Sequence, residues 1–449
     1  MNKKIKYIAL IFLIPFLSGL FFVAVSLHHE QRYDALTFIA YAQSIASGSL
    51  NACGMVKEPG YPIVISPLFL FFNQSKAILL SRVMNLLLVA CSSVIFFLIL
   101  RLLKPNLSLR KTFIFSLFFA LSPQILSFSA LRVYSEPLQL ILNALVIFCL
   151  LKICASYQRL KASWLVILSV IAGLSAGLLS ITKVFFLLYP LWMAAFIAVV
   201  FPIFKKTRLF KGGIFKFLVV FVCISYIPPF LWSMRNYKKY GYFMVSVRGA
   251  TTLLAHTYVV DWGLKDSLKW GVFQLSDTLG TKLFPSDTHR MDKFSGEPSR
   301  KAEDFAKYSQ NQYKKSEISA AREWLRIVRA HPYKYIWFYF LNTLNHVFIE
   351  GIYPDIYPQN KTAVIKYLYI FNAAVLHILY SLFIWLVILY GVIKTLFRPG
   401  FLSLIIAAPL LYFLFLAYHF HTEIRYLHPL YINIYLLFSL CLCNITKND

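Results

Sequence analysis

The sequence predicts an all-α, polytopic membrane protein, and three observations carry that reading. Hydrophobic residues make up 59% of the 449-residue chain and charged residues only 14%. Apolar stretches long enough to cross a bilayer recur along it. The short segments between them alternate between strongly basic and not basic. A soluble chain of this length needs far more charge on its surface, whereas a hydrocarbon core of roughly 30 Å asks for about 20 apolar residues per helix. The expected architecture is about ten transmembrane helices, with interfacial helices in the first outside loop and a larger outside region after the seventh span.

The spans are expected at 5–27, 77–100, 112–130, 137–152, 163–182, 184–204, 214–232, 367–393, 401–418 and 426–444. The first follows Lys3, Lys4 and Lys6 and is too long for the apolar core of a cleaved leader, so it is read as a retained helix. One set of connections is basic: Lys3/Lys4, Arg101 to Lys111, Lys152 to Lys161, Lys205 to Lys216, and Lys394/Arg398. The positive-inside rule places these in the cytoplasm, which puts both termini there as well. Of the 18 acids, Asp449 alone falls on that side; the other 17 lie in or beside the opposite loops. The varied chemistry is therefore expected outside. The net charge of +27 fits anchoring to anionic headgroups rather than nucleic acid, because the basic residues are scattered between spans. Seven cysteines show neither a zinc spacing nor a disulfide framework.

Three regions follow: a membrane module over 1–232 with a first outside loop at 28–76, an outside region over 233–366, and C-terminal helices over 367–449. In the middle region, 303–329 reads as a soluble amphipathic helix ended by His331-Pro332. The aromatic stretch 333–348 reads as a helix in the interface, where Trp and Tyr are favoured; a true span there is the alternative.

The first outside loop is the most informative part. Residues 33–47 have helical spacing, with Leu36, Ile39 and Ala40 on one side, so the segment suits the membrane surface. Pro59, Gly60 and Pro62 are expected to turn the chain sharply, leaving Asp34 at the boundary beside a rigid turn that carries Lys57. The plain alternative for Asp34 is an acid at a helix N-terminus. Glu136, in Tyr134-Ser135-Glu136-Pro137, has the same two readings: an acid facing a cavity, or a helix-start residue ahead of Pro137. The cation candidates are Lys57, Lys183, Arg235 and Arg425. Their alternatives are snorkelling for Lys183 and pairing with Glu423 for Arg425.

Four segments together resemble one family. Tyr33-Asp34 through Gly48 to Pro59-Gly60-Tyr61-Pro62 resembles the first extracytoplasmic loop of the C-type glycosyltransferases. The nearest branch looks like the bacterial relatives of protein O-mannosyltransferases and of lipid A aminoarabinose transferase. Gly173 to Lys183 (GLSAGLLSITK) resembles that group's glycine-rich span ending in a basic residue. Pro229 to Gly241 (PFLWSMRNYKKYG) resembles its arginine-asparagine-tyrosine segment, and Glu423 to Pro429 (EIRYLHP) the start of its last span. The resemblance covers nearly the whole chain in order.

It implies a membrane glycosyltransferase that moves a sugar from a polyprenyl-phosphate donor to a glycolipid, glycan or protein outside the cytoplasm, in the inner membrane. Asp34 corresponds to the family's catalytic base, and Glu136 to an acid that shapes the acceptor site. Lys57, Lys183, Arg235 and Arg425 become phosphate contacts, while Tyr33, Glu58 and Tyr61 shape the site. Inversion at the anomeric carbon is likewise implied by the resemblance. One departure is that Lys57 precedes Glu58, the reverse of the order in aminoarabinose transferase, which leaves open which of the two faces the site. No cofactor is implied. The rival use of Asp34, Glu58 and Glu136 is a divalent metal site; no Asp-x-Asp pair occurs in the outside loops. The competing functions are a transporter or lipid flippase and an O-antigen ligase or polymerase.

Overall fold

The computed structural model describes residues 3–25, 31, 34–49, 57–205, 214–246, 313–336, 400–415 and 428–445, with isolated positions at 254, 265, 269, 283–285, 386, 390 and 393. Every regular element among the described residues is a helix. Among the described residues six helices are long and apolar enough to cross a membrane: Lys3–Ala24, Gln74–Leu103, Glu136–Ser156, Ala162–Thr182, Val184–Phe204 and Ile214–Tyr240. The chain is a multi-pass membrane protein.

In chain order, α1 is Lys3–Val25, α2 Asp34–Ala46, α3 Gly60–Phe71, α4 Gln74–Leu103, α5 Leu109–Ala120, α6 Pro123–Leu131, α7 Glu136–Ser156 and α8 Ala162–Thr182. A 3-10 turn, Val184–Leu188, then leads into α9, Tyr189–Lys205. It is followed by α10, Ile214–Ser225, and α11, Ile227–Tyr240. Later come α12, Tyr313–Ala330, α13, Phe401–Phe415, and α14, Tyr431–Ile445.

Two expected spans are broken, both by proline. The run 112–130 is two helices, α5 and α6, parted at Leu121 and Ser122. Pro123 opens α6, and the residue before a proline is driven out of the helical region: Ser122 has ψ 122°. The run expected to end at residue 232 breaks instead at Tyr226 and then continues as α11 to Tyr240. Pro228 and Pro229 lack the N–H groups that would close on Ile224 and Ser225. The freed Ser225 carbonyl is where α8 comes closest. A Cβ built at Gly177 would stand 2.5 Å from that oxygen and 2.8 Å from Pro228 Cδ, so α8 and α10 meet backbone to backbone through a residue with no side chain.

The apolar residues divide as a membrane requires. On α8, Trp164, Ile167, Ile171, Leu174 and Leu178 are all exposed. Their three- and four-residue spacing makes them one outward stripe, which lipid solvates and water would not. Inside, Phe96 stacks on Phe119 at 4.7 Å and Phe119 meets Tyr435 edge-on at 5.6 Å, joining α4, α5 and α14. Serines within spans satisfy themselves. The hydroxyls of Ser81, Ser93, Ser116, Ser169 and Ser439 each donate to the carbonyl four residues back.

One polar knot crosses the interior. Asn143 on α7 donates to the Pro429 carbonyl (2.8 Å) and to Asn433 Oδ1 (2.9 Å), and it accepts from the Tyr189 hydroxyl (2.7 Å). Asn433 in turn donates to the Ile406 carbonyl at 2.9 Å. Four helices, α7, α9, α13 and α14, are thereby tied together where water does not reach.

The chain divides into two compact units. The first comprises Met1–Arg235, Val387–Tyr412 and Leu427–Asp449, and the second Asn236–Leu386 and Phe413–Tyr426. In the second, α12 matches the later part of the amphipathic helix expected over 303–329; residues 303–312 lie outside the described residues. Its Glu323 accepts two hydrogen bonds from Arg326, at 2.8 and 2.6 Å, which pull the carboxyl below its ordinary range. The interfacial helix expected over 333–348 and the span expected over 367–393 lie largely outside the described residues.

Replacing Gly177 with leucine forces the α8–α10 contact open. The expected cost is about 1–3 kcal/mol or more, read as a lower thermal unfolding midpoint of the purified protein in detergent. An unchanged midpoint would mean that the two helices do not meet through this residue.

Candidate functional site

The first loop folds back on the bundle through two short helices, α2 and α3. Asp34 opens α2, where the positive end of the helix dipole favours an acid. The face that α2 buries carries Ala35, Phe38, Ile39 and Ala42. Of the three residues expected on one side, Ile39 is buried, while Leu36 and Ala40 are exposed. On the buried face Phe38 meets Tyr61 edge-on, ring centroids 5.5 Å apart. The segment after Pro59 is not a free turn. Gly60, Tyr61 and Pro62 form the first turn of α3, where a proline needs no N–H partner.

Gly60 fixes where that turn sits. A Cβ there would come within 2.8 Å of the Thr182 nitrogen and 2.9 Å of the Ile181 carbonyl carbon, so the start of α3 lies directly against the last turn of α8. Two flanking side chains complete the docking. Glu58 Oε1 accepts a hydrogen bond from the Val184 N–H at 3.3 Å. Lys57 pairs through its ammonium with Asp34 Oδ1, with side-chain exposures of 10% for Lys57 and 17% for Asp34. The two adjacent residues take different partners: Lys57 turns to Asp34, and Glu58 turns to the end of α8. Lys183, the residue between the Gly60 and Glu58 contacts, is buried; its N–H donates to Leu179 and its carbonyl accepts from Phe186.

The other wall is the segment between α6 and α7. Tyr61 donates to Asn85 Oδ1 on α4 at 3.0 Å. The Asn85 amide in turn donates to the Arg132 and Tyr134 carbonyls, at 3.4 and 3.3 Å. Gln31 brackets the same segment from the first loop, donating to the Leu131 carbonyl (3.3 Å) and accepting from the Val133 N–H (2.9 Å). Arg132 reaches the Tyr134 hydroxyl at 3.0 Å. Glu136 begins α7, only 2% exposed, and lies near enough to act electrostatically on Tyr61. Ser135 makes no side-chain cap on α7; its hydroxyl accepts from Gln139 instead.

The structure thus brings Asp34, Lys57, Glu58, Tyr61, Glu136 and Lys183 to one end of the bundle. Arg235 stands on α11 with its guanidinium 4.6 Å above the Trp232 ring, a cation–π contact. Tyr33 and Arg425 lie outside the described residues. Sequence reasoning missed Gln31, Arg82, Asn85 and Arg132. Arg82, 2% exposed, donates to the Ala130 carbonyl at 2.6 Å, and Arg132 is 3% exposed. The signal was available for two of them: Arg82 and Asn85 interrupt an apolar span three residues apart, hence on one helix face, and polar groups at that depth face the interior.

The chemistry this arrangement offers is three carboxylates, Asp34, Glu58 and Glu136, with lysine and arginine cations around a poorly hydrated end of a helix bundle. Among the described residues no three His, Cys, Asp or Glu side chains gather as metal ligands would. No family model, no curated protein and no solved structure matches the chain.

Tyr61 and Asn85 act as a unit, and their coupling is measurable. Asn85→Ala is expected to cost about 1–3 kcal/mol, because buried carbonyls and the Tyr61 hydroxyl lose their partner. In the Tyr61→Phe background the same change costs less, by a coupling of about 0.5–1.5 kcal/mol in a thermal-unfolding cycle. Additive losses would show that the two side chains do not share the bond.

Proposed function

We propose that the chain is a membrane glycosyltransferase of the C-type fold. In this reading it has about ten spans, basic loops in the cytoplasm, and its site on the opposite face of the inner membrane. The single observation that carries the reading is the meeting of Asp34 with Lys57 against the end of the glycine-rich helix α8. The motifs that prompted the family resemblance lie far apart in sequence, and a base and a phosphate-binding cation must be neighbours for this reaction.

The chemistry follows from the donor. A sugar on a polyprenyl phosphate carries a leaving group that needs no proton. An acceptor hydroxyl or amine attacks the anomeric carbon, the bond from that carbon to the phosphate oxygen breaks, and polyprenyl phosphate departs with the electron pair. Asp34 takes the proton that the acceptor loses. Lys57 holds the phosphate and stabilises its growing charge, with Lys183, Arg235 and Arg425 as the further cations. Their pairing gives an order of events: the donor phosphate draws the Lys57 ammonium away from Asp34, and the carboxylate becomes available as a base only when donor is present. Glu136, with Tyr33, Glu58 and Tyr61, shapes the acceptor side.

A transporter or flippase is the second reading, favoured by the deeply buried guanidinium of Arg82 within a membrane span. Transfer chemistry separates the two. Wild-type protein, given a panel of labelled polyprenyl-phosphate sugars and membrane acceptors, is expected to form a labelled product. Asp34→Asn, equally expressed, should lower turnover by about 10²–10⁴-fold, and Lys57→Met should raise the donor KM as well. Movement of labelled lipid across vesicles with no glycosidic product would establish the transporter instead. Full turnover in Asp34→Asn would keep the enzyme and remove this base.

A further inference from the structure

The α1–α4 contact closes at one end and opens at the other. Gly19 seats against the Leu86 side chain, and nearby Val23, Leu86 and Ala130 form a buried cluster. Towards the start of α1 the helices part around a groove of about 650 Å³. Ile5, Ala9 and Leu13 line it from α1, and Cys91, Val94 and Ile95 from α4. Each set repeats at three or four residues, so one face of each helix forms a wall. The lining is apolar almost throughout, and the outermost residues, Ile5 and Leu13, are exposed.

The register places charge at the mouth of this groove. Residue 19 faces 86 and residues 5–13 face 91–95, so the helices run antiparallel. Continuing that register carries Lys3 and Lys4 to the last turn of α4, where Arg101 lies, with Lys104 just beyond. Tyr7 meets Phe113 of α5 at 5.0 Å, which brings Arg110 and Lys111, within one turn of Phe113, to the same end. Arg101 donates to the Leu107 carbonyl and holds the α4–α5 loop across it. The sequence contains no Asp or Glu in residues 1–29 or 59–135, so no acid from these segments offsets the collar.

We infer that this groove binds an anionic phospholipid of the bilayer. One acyl chain lies between α1 and α4, and the phosphate rests against the collar of Lys3, Lys4, Lys104 and Lys111. A water-soluble anion would meet the collar but leave the groove empty, and a neutral lipid would fill the groove but gain nothing from the collar. An amphiphile with a negative head uses both. The site is separate from the Asp34 end: α1 has 23 residues, and at 1.5 Å each the two ends stand about 34 Å apart. The inference therefore holds whether or not the chain is a transferase.

The test is native mass spectrometry of the full-length protein in detergent, titrated with phosphatidylglycerol or phosphatidylcholine of identical acyl chains. Wild type is expected to retain phosphatidylglycerol roughly tenfold more tightly or better. Lys4→Gln with Lys111→Gln, two exposed positions whose change spares the core, should bring phosphatidylglycerol to the phosphatidylcholine level and leave the latter unchanged. Ala9→Trp should abolish retention of both by filling the groove, and free glycerol phosphate should displace neither. Equal retention of the two lipids by wild type, an unaltered preference in the lysine variant, or displacement by glycerol phosphate would each overturn the site.

Discussion

A carboxylate and an ammonium removed from water must find one another, and the fold of the first loop depends on that need. Asp34 opens α2, Lys57 lies in the stretch that joins α2 to α3, and both are mostly shielded from solvent. Isolated, each would be costly to bury; together they bring the start of α2 beside the start of α3. The rest of the site hangs on this closure. With the turn drawn in, Gly60 reaches the backbone of Thr182, Glu58 reaches the Val184 N–H, and Tyr61 reaches Asn85. The pairing organises structure and, in the proposed reaction, also holds the base in check.

The same demand for internal partners explains the interior of the bundle. Lipid offers no hydrogen bonds, so every polar group within a span must be answered by protein. Serines answer themselves within their own helices. Asn143, Tyr189 and Asn433 answer one another across four helices. Where proline removes a donor, as after Ser225, the exposed carbonyl becomes a place of close approach, and a glycine on α8 fits it. The breaks in the helices are thus points at which helices are joined rather than weaknesses.

Much of this was legible in the sequence. Composition and span length reveal the membrane class, because hydropathy acts locally and needs no knowledge of neighbours. Asp34, Lys57 and Glu136 could be singled out because charges are scarce in such a chain. What stayed hidden depends on contacts distant in sequence. The packing of α2 stayed hidden because Phe38 meets Tyr61, a partner no periodicity announces. Pro62 looked like a turn residue because the pattern cannot distinguish a proline in a loop from one in the first turn of a helix. Asn143 and Asn433 lie 290 positions apart, and neither has meaning without the other. Gln31 and Asn85 were passed over for the same reason: their work is to hold backbone carbonyls and N–H groups of the segment before α7, and backbone groups leave no trace in composition.

The most direct test of the account is a thermal-unfolding cycle on the Asp34–Lys57 pair, using Asp34→Asn, Lys57→Met and the double variant in one detergent. Breaking a buried pair from one side costs roughly 3–5 kcal/mol, while replacing both partners is often close to neutral. The account predicts that each single variant unfolds at a clearly lower temperature and that the double variant recovers most of the loss. Losses that simply add would mean that the two side chains do not depend on one another, and the closure of the first loop would need another cause.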